Sequence, residues 1–163
     1  MSYSVPSTET HTIKAILALI AVLLLAGCTA RPSYVKPAIS DPAGYATIQG
    51  SEVADTWPVS NQYTTIVGID GSVPRGMDYD QPIEVSPGEH TIVVQFTHGE
   101  RRAGLQTTVN FSAGKSYVAK AKEVGSSWLE LGQVDIVIEE TDTQQIVAQG
   151  TARVDYQIPV RVQ

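Results

Sequence analysis

The chain of 163 residues has a single cysteine, Cys28, and its longest apolar run covers only residues 16–26. One cysteine excludes an internal disulfide, so the fold must hold by its core alone even in an oxidising compartment. The apolar run is too short to cross a bilayer, because a membrane-spanning helix needs about 20 apolar residues. Basic residues are also scarce, 11 against 17 acidic ones. A nucleic-acid partner is therefore not expected.

The short apolar run is typical of a secretory signal peptide, because a basic residue, Lys14, precedes it and small residues follow it. It ends in Leu25-Ala26-Gly27-Cys28, which resembles the bacterial lipobox. The resemblance implies lipidation of the Cys28 thiol, cleavage before Cys28 and acylation of the new amino terminus. Two or three acyl chains give a stable anchor, since each buried CH₂ contributes about 0.8 kcal/mol. A buried or stray cysteine after an ordinary signal peptide is the alternative.

Thr29 stands directly after the cysteine. In enterobacterial lipoproteins an aspartate at that position favours retention in the inner membrane. By this resemblance, we expect the protein at the periplasmic face of the outer membrane, held there by the lipid on Cys28.

Cleavage before Cys28 leaves 136 residues with a net charge of −6, a length that suits one domain and a tether. We predict a signal peptide at 1–27, a lipidated tether at 28–44 and a β-domain at 45–163. Prolines recur every five residues in the tether, which is typical of a partly extended linker reaching about 20 Å as a coil or about 50 Å as polyproline II. Alternatively, part of it packs on the domain as an arm anchored by Tyr34 and Ile39.

Alternating apolar and polar residues predict strands in the rest of the chain. In 90–98, Ile92, Val94 and Phe96 share one face, which leaves Gln95 and Thr97 toward water. The same alternation predicts strands at 105–111, 117–122 and 134–139, and shorter patterns predict strands at 45–49, 63–69, 83–85 and 146–149, with 152–162 as a candidate last edge strand. No mature segment keeps a helical period over three turns. We predict an all-β fold, an antiparallel β-sandwich of seven or eight strands.

Turn signals separate these runs. Asp70-Gly71 predicts a tight turn with positive φ angles, and Pro87-Gly88 fits a type II turn. The stretches IVGIDG, IEVSPGEHTIVVQF and VNFSAGKSYVAKA, at 66–71, 83–96 and 109–121, resemble the repeating turn-and-strand pattern of PEGA-type β-domains. ATIQG at 46–50 is similar to the opening strand of many uncharacterised proteobacterial lipoproteins. The resemblance implies a fold and no particular activity.

Motifs for catalysis, metals or cofactors are sparse. AGKS at 113–116 lacks the first glycine of a phosphate-binding loop. A serine triad is not excluded by residue counts, but the mature chain has only His90 and His98. These two are expected at the ends of one strand near solvent, about 26 Å apart, too far to share a metal or a proton. Asp70, Asp78 and Asp80 read as a solvated acidic loop rather than a calcium site. We predict neither an enzyme nor a cofactor.

Two functions of different classes remain. The first is a non-catalytic, membrane-tethered module that contacts an envelope protein through edge strands or loops, with His98, Arg101 and Arg102 as a candidate contact surface at a hairpin tip. The alternative is a glycan- or peptidoglycan-binding lipoprotein that stacks sugars on exposed Trp57 and Trp128. Burial of both rings at the ends of the sandwich would remove the second function.

Overall fold

The computed structural model describes residues 30–38, 41–53, 62–75, 78–124 and 132–156. Within these ranges the chain forms ten strands and one short 3₁₀ turn at Pro42–Gly44, with no α-helix. In chain order the strands are β1 Ala46–Gln49, β2 Ser51–Val53, β3 Gln62–Ile69, β4 Ile83–Val85, β5 Gly88–His98, β6 Arg101–Phe111, β7 Ser116–Val124, β8 Gln133–Glu140, β9 Ile146–Arg153 and β10 Asp155–Tyr156. Among the described residues there is also no helix long and apolar enough to span a membrane.

The strands form two five-stranded sheets, which confirms the predicted all-β sandwich. The first sheet has the order β4-β1-β7-β8-β9 and the second has the order β10-β6-β5-β3-β2. The prediction missed β2 and merged β10 into the longer candidate strand at 152–162. These strands have three and two residues, too few to show an alternating pattern. One ladder departs from the antiparallel prediction, since β1 and β7 pair in parallel. The chain between them passes through the second sheet, which supplies the crossover that a parallel pair requires.

The core lies between the two sheets and follows the predicted alternation. Ile92, Val94 and Phe96 of β5 are fully buried. Across the core, the ring of Phe111 from β6 meets Tyr117 from β7 edge to face, with centroids 4.9 Å apart. Aromatic pairs prefer this geometry because the positive ring edge meets the negative ring face.

Thr97 is a correction to the predicted facing of β5. It is buried, at 5% exposure, although it lies on the outer face of the sheet. The register places it between Tyr63 on β3 and Arg102 on β6. Two long side chains flank the short threonine, and its expected contact with water is lost.

Gly50 lies where the chain leaves the first sheet after β1 and enters the second as β2. A Cβ at this position would stand 1.9 Å from the carbonyl oxygen of Thr64. Beside it, the hydroxyls of Ser51 and Thr64 both donate to the carbonyl of Ala119, at 2.8 and 2.6 Å. The crossing is therefore tied to β7 by hydrogen bonds and leaves no room for a side chain at Gly50.

The predicted turn at Asp70-Gly71 is confirmed, with φ angles of 50° and 76°. Gly88 has a positive φ of 119°, but it already pairs with Phe111 as the first residue of β5, so a bend at Pro87 replaces the predicted type II turn. At the far end of the chain, β9 extends to Arg153 and β10 pairs with β6 in the other sheet. Residues 157–162 of the candidate last strand lie outside the described residues.

Candidate functional site

Three residues that the sequence singles out lie outside the described residues. They are the lipid-attachment residue Cys28 and the two candidate sugar-stacking residues, Trp57 and Trp128. Lipidation and sugar stacking therefore stay predictions, and the site must be built from other parts of the chain.

The tip of the β5–β6 hairpin holds the other predicted contact residues. His98 ends β5 as expected but is only 7% exposed, so its predicted position near solvent is wrong. It continues the inward face of β5 that Phe96 occupies. Arg102 lies on the opposite face, and its Nη1 donates to the carbonyls of Gly99 and Arg101 at 2.7 and 2.9 Å. The guanidinium therefore closes the turn, and His98 and Arg102 do not share one surface.

A segment of the predicted tether packs on the sandwich as an arm, which we define as residues 32–37. The Val73 N–H donates to the Pro32 carbonyl at 2.9 Å, and the Tyr34 N–H donates to the Val73 carbonyl at 2.7 Å. The Tyr34 ring packs against the core, and its hydroxyl donates to the carbonyl of Glu84 at 2.9 Å. Tyr34 thus anchors the arm as in the alternative interpretation, while Ile39 lies outside the described residues.

Three further contacts bind the arm through its polar groups. Lys36 forms an ion pair with the carboxylate of Glu84, and its ammonium also lies 4.9 Å from the centre of the Tyr45 ring. The Tyr45 hydroxyl donates to the Pro37 carbonyl at 2.6 Å. The hydrogen bond with Glu84 raises the pKa of Lys36 and outweighs the opposing effect of desolvation. Burial, followed by the charges of Asp70 and Glu84, raises the pKa of Tyr34.

A cavity of about 640 Å³ opens between the arm and β4, and we call it the arm groove. Its size falls within the range of small-molecule or peptide sites. Its walls combine apolar and charged side chains, among them Tyr34, Lys36, Arg75, Gln81, Ile83 and Glu84. The arm groove is thus a surface depression built by a segment that sequence reasoning assigned to a linker.

A second cluster joins the Asp70 turn to the start of β5. His90 Nδ1 donates to Asp70 Oδ2 at 2.6 Å, and the other carboxylate oxygen accepts from the Thr91 N–H at 2.9 Å. On the far side of the ring, Nε2 lies 3.1 Å from the hydroxyl of Ser86. These three side chains follow the order of a catalytic serine, histidine and aspartate.

The electrostatics of this cluster centre on the Asp70 carboxylate. Desolvation by itself raises its pKa, but the hydrogen bonds from His90 and from the Thr91 amide, with the charge of His90, outweigh burial and lower it. Asp70 therefore stays ionised and holds the Nδ1 proton on the ring.

Two features of the cluster favour a structural role. Nε2 lies as close to the main-chain carbonyl of Ser86, at 3.0 Å, as to its hydroxyl, at 3.1 Å, so the ring nitrogen is not directed at the hydroxyl alone. Pro87 follows Ser86 and has no N–H, so the usual oxyanion donor after a nucleophile is missing. The cluster ties two turns together through the Asp70 carboxylate, which is bonded to the His90 ring and to the Thr91 amide. The described residues contain no group of three or more His, Cys, Asp or Glu side chains able to hold a metal ion.

Comparison of the chain with protein-family models, with curated proteins and with solved structures found no match. The candidate site therefore stands on the geometry of this chain alone.

Sequence reasoning missed the contact between His90 and Asp70, although it placed both residues in turns or strand ends. They are 20 residues apart, and the register of β3 against β5 brings them together. The sequence signal for this contact was an Asp-Gly turn after one strand, together with a histidine near the start of the antiparallel neighbour of that strand. Lys36 was missed because its partner Glu84 lies on β4, an edge strand of only three residues.

Proposed function

We propose that the protein is an outer-membrane lipoprotein, lipid-anchored at the periplasmic face, which acts as a non-catalytic binding or structural module of the cell envelope. The observation that carries the proposal is Leu25-Ala26-Gly27-Cys28 at the end of a short apolar run. The likeness of its turns to PEGA-type β-domains belongs to the same proposal.

A binding role is supported by the free side of β9 in the first sheet. β9 pairs with β8 on one side, and in the described part of the chain no strand pairs with its other side. An open strand edge offers unpaired N–H and C=O groups to an extended segment of another protein. We therefore propose an envelope protein as the partner.

The lipid anchor is tested by Cys28→Ala in cells labelled with palmitate. Wild-type protein should carry label and fractionate with the outer membrane, because only a thiol forms the thioether. The variant should carry no label and should be uncleaved or soluble. A labelled Cys28→Ala protein that still pellets with the outer membrane overturns the anchor. Thr29→Asp serves as the matched control, since it should keep the label and move the protein to the inner membrane.

The proposed absence of catalysis is tested at Ser86, the side chain that lies beside His90 as a nucleophile would. The purified protein is incubated with a fluorophosphonate, which labels activated serines. We expect no labelling of Ser86, because the following residue, Pro87, has no N–H to stabilise the oxyanion that forms in the reaction. Labelling that is lost in both Ser86→Ala and His90→Gln would make the protein a serine hydrolase instead.

The envelope partner is tested by crosslinking at the open edge. A photo-crosslinking residue at exposed Gln149 on β9 should capture an envelope protein. One at exposed Ser116 on β7, a strand that lies between β1 and β8 in the same sheet, serves as the control. Equal capture from both positions would argue against an edge-strand partner.

A further inference from the structure

The docked arm shortens the chain between the proposed lipid and the folded domain. The main chain of the arm is fixed by the two hydrogen bonds between Pro32, Tyr34 and Val73. Three residues, 29–31, separate Cys28 from Pro32. Four residue steps span at most about 14 Å when fully extended. A tether free as far as residue 44 would instead reach about 20 to 50 Å.

The docking point lies at one end of the sandwich. Val73 follows Ser72, which exchanges hydrogen bonds with Ile69 at the end of β3. Ile69 pairs with Ile92 near the start of β5. From His90 to His98, β5 runs about 26 Å toward the hairpin tip. The arm and the tip at Glu100 therefore lie at opposite ends of β5.

The surface beside the docking point suits the interface of a bilayer. Val35 is 81% exposed, and in the described residues Ile146 is the other large apolar side chain that is exposed, at 49%. It alternates with Tyr34, whose ring points into the core, so the extended arm turns Val35 outward. Arg75 is exposed on the rim of the arm groove, and Lys36 neutralises Glu84. An exposed apolar side chain beside an arginine is a composition that interfacial contacts use.

We infer that the docked arm holds this end of the sandwich against the bilayer, with Val35 and Arg75 at the phospholipid headgroups and the β5–β6 hairpin tip pointing away. The inference rests on the proposed lipid anchor at Cys28. The domain therefore does not swing on a long linker, because the arm fixes which of its ends faces the membrane.

The test uses the full lipidated protein in vesicles that contain a nitroxide-headgroup phospholipid. Glu89→Cys at the exposed start of β5 and Glu100→Cys at the tip each supply a single free thiol, because the lipid occupies Cys28. A fluorophore on each thiol reports its distance from the headgroups. Quenching should be several-fold stronger at Glu89→Cys than at Glu100→Cys. Equal quenching overturns the inference.

Two further variants separate docking from mere proximity. A flexible Gly-Ser insertion of about ten residues after Thr29 adds about 17 Å of reach without touching the arm, and it should remove most of the difference between the two reporters. Tyr34→Ala, which undocks the arm, should do the same. A difference that survives both changes would overturn the role of the arm. Failure of the wild-type protein to sediment with vesicles would instead refute the lipid anchor itself.

Discussion

The two edges of the first sheet are treated in opposite ways. β4 has three residues, and the arm lies beside it, with the Tyr34 hydroxyl satisfying the carbonyl of Glu84. β9 has eight residues, contains neither lysine nor proline, and carries Ile146 at 49% exposure. Within the described ranges, no strand pairs with its outer side.

Natural sheets protect an edge by keeping it short, by charging it or by covering it. β4 uses all three devices, since it is short, is covered by the arm and carries the ion pair of Glu84 with Lys36. β9 relies on a single charge, that of Arg153. The arm therefore closes the edge at β4, while the outer side of β9 is left for the partner that we propose.

The largest expected effect is a loss of stability that removes the difference in amide exchange between the two edges. Phe96→Ala removes a fully buried ring and should lower the free energy of unfolding by about 3 to 5 kcal/mol. Amide hydrogen exchange at both edges should then rise together, because global unfolding becomes the common route. Gln106→Thr, at an exposed position on β6, is the control and should change stability by less than about 0.5 kcal/mol. Comparable losses in the two variants would show that β5 does not face the core as described.

A pair of glycines tests the β1 side of the sheet against the β9 side. Gly50→Ala sets a Cβ against the Thr64 backbone, so the crossing must shift, and we expect a loss of about 3 kcal/mol or more. Gly150→Ala in β9 meets the end of the Leu105 side chain at 2.6 Å. Leucine can change rotamer, so its loss should be about 1 kcal/mol. Chemical denaturation measures both losses. A larger loss for Gly150→Ala than for Gly50→Ala would mean that the β1–β2 crossing has room for a side chain.

A change in the arm should affect one edge only. Tyr34→Ala removes a half-buried ring and should lower the free energy of unfolding by about 2 kcal/mol. Amide exchange should become faster in β4 and stay unchanged in β9. Tyr34→Phe removes only the hydrogen bond to Glu84 and should cost about 1 kcal/mol. If exchange in β9 rises as much as in β4, the arm stabilises the whole sandwich and not its edge.

The smallest expected effect is on the acid side of the pH range. Because the folded state lowers the pKa of Asp70 below its ordinary 3.8, the ionised carboxylate stabilises the fold above that pH. This contribution is lost as the pH falls from about 3.8 through the lower folded value. Asp70→Asn should therefore flatten the acid limb of a stability curve measured from pH 5 to pH 2. An unchanged acid limb would show that the contact with His90 does not contribute in solution.

The sequence was sufficient for features that depend on neighbouring residues. The inward face of β5 follows from the alternation of Ile92, Val94 and Phe96, and the Asp70-Gly71 turn follows from the preference of those residues for positive φ. Eight strands were placed for the same reason. The all-β class then followed from the absence of helical periodicity.

Features that depend on contacts between distant strands could not be predicted from the local sequence pattern. Thr97 is buried by Tyr63 and Arg102 on adjacent strands, and no spacing within β5 shows this. The parallel pairing of β1 with β7 depends on where the chain crosses between sheets. In the candidate site, the arm was predicted only as an alternative. A tyrosine among prolines anchors a segment only when distant residues bind it, here the carbonyls of Val73 and Glu84.

The parallel ladder between β1 and β7 also constrains the order of folding. Thr47 pairs with Ser116, a partner 69 residues later in the chain, and such distant pairs slow folding because a long loop must close first. The hairpins β5–β6 and β7–β8 need no such closure. We expect them to form early and the β1–β7 ladder to form last, so that a chain emerging amino terminus first can pair β1 with β4 but keeps the other side of β1 unpaired until β7 has followed.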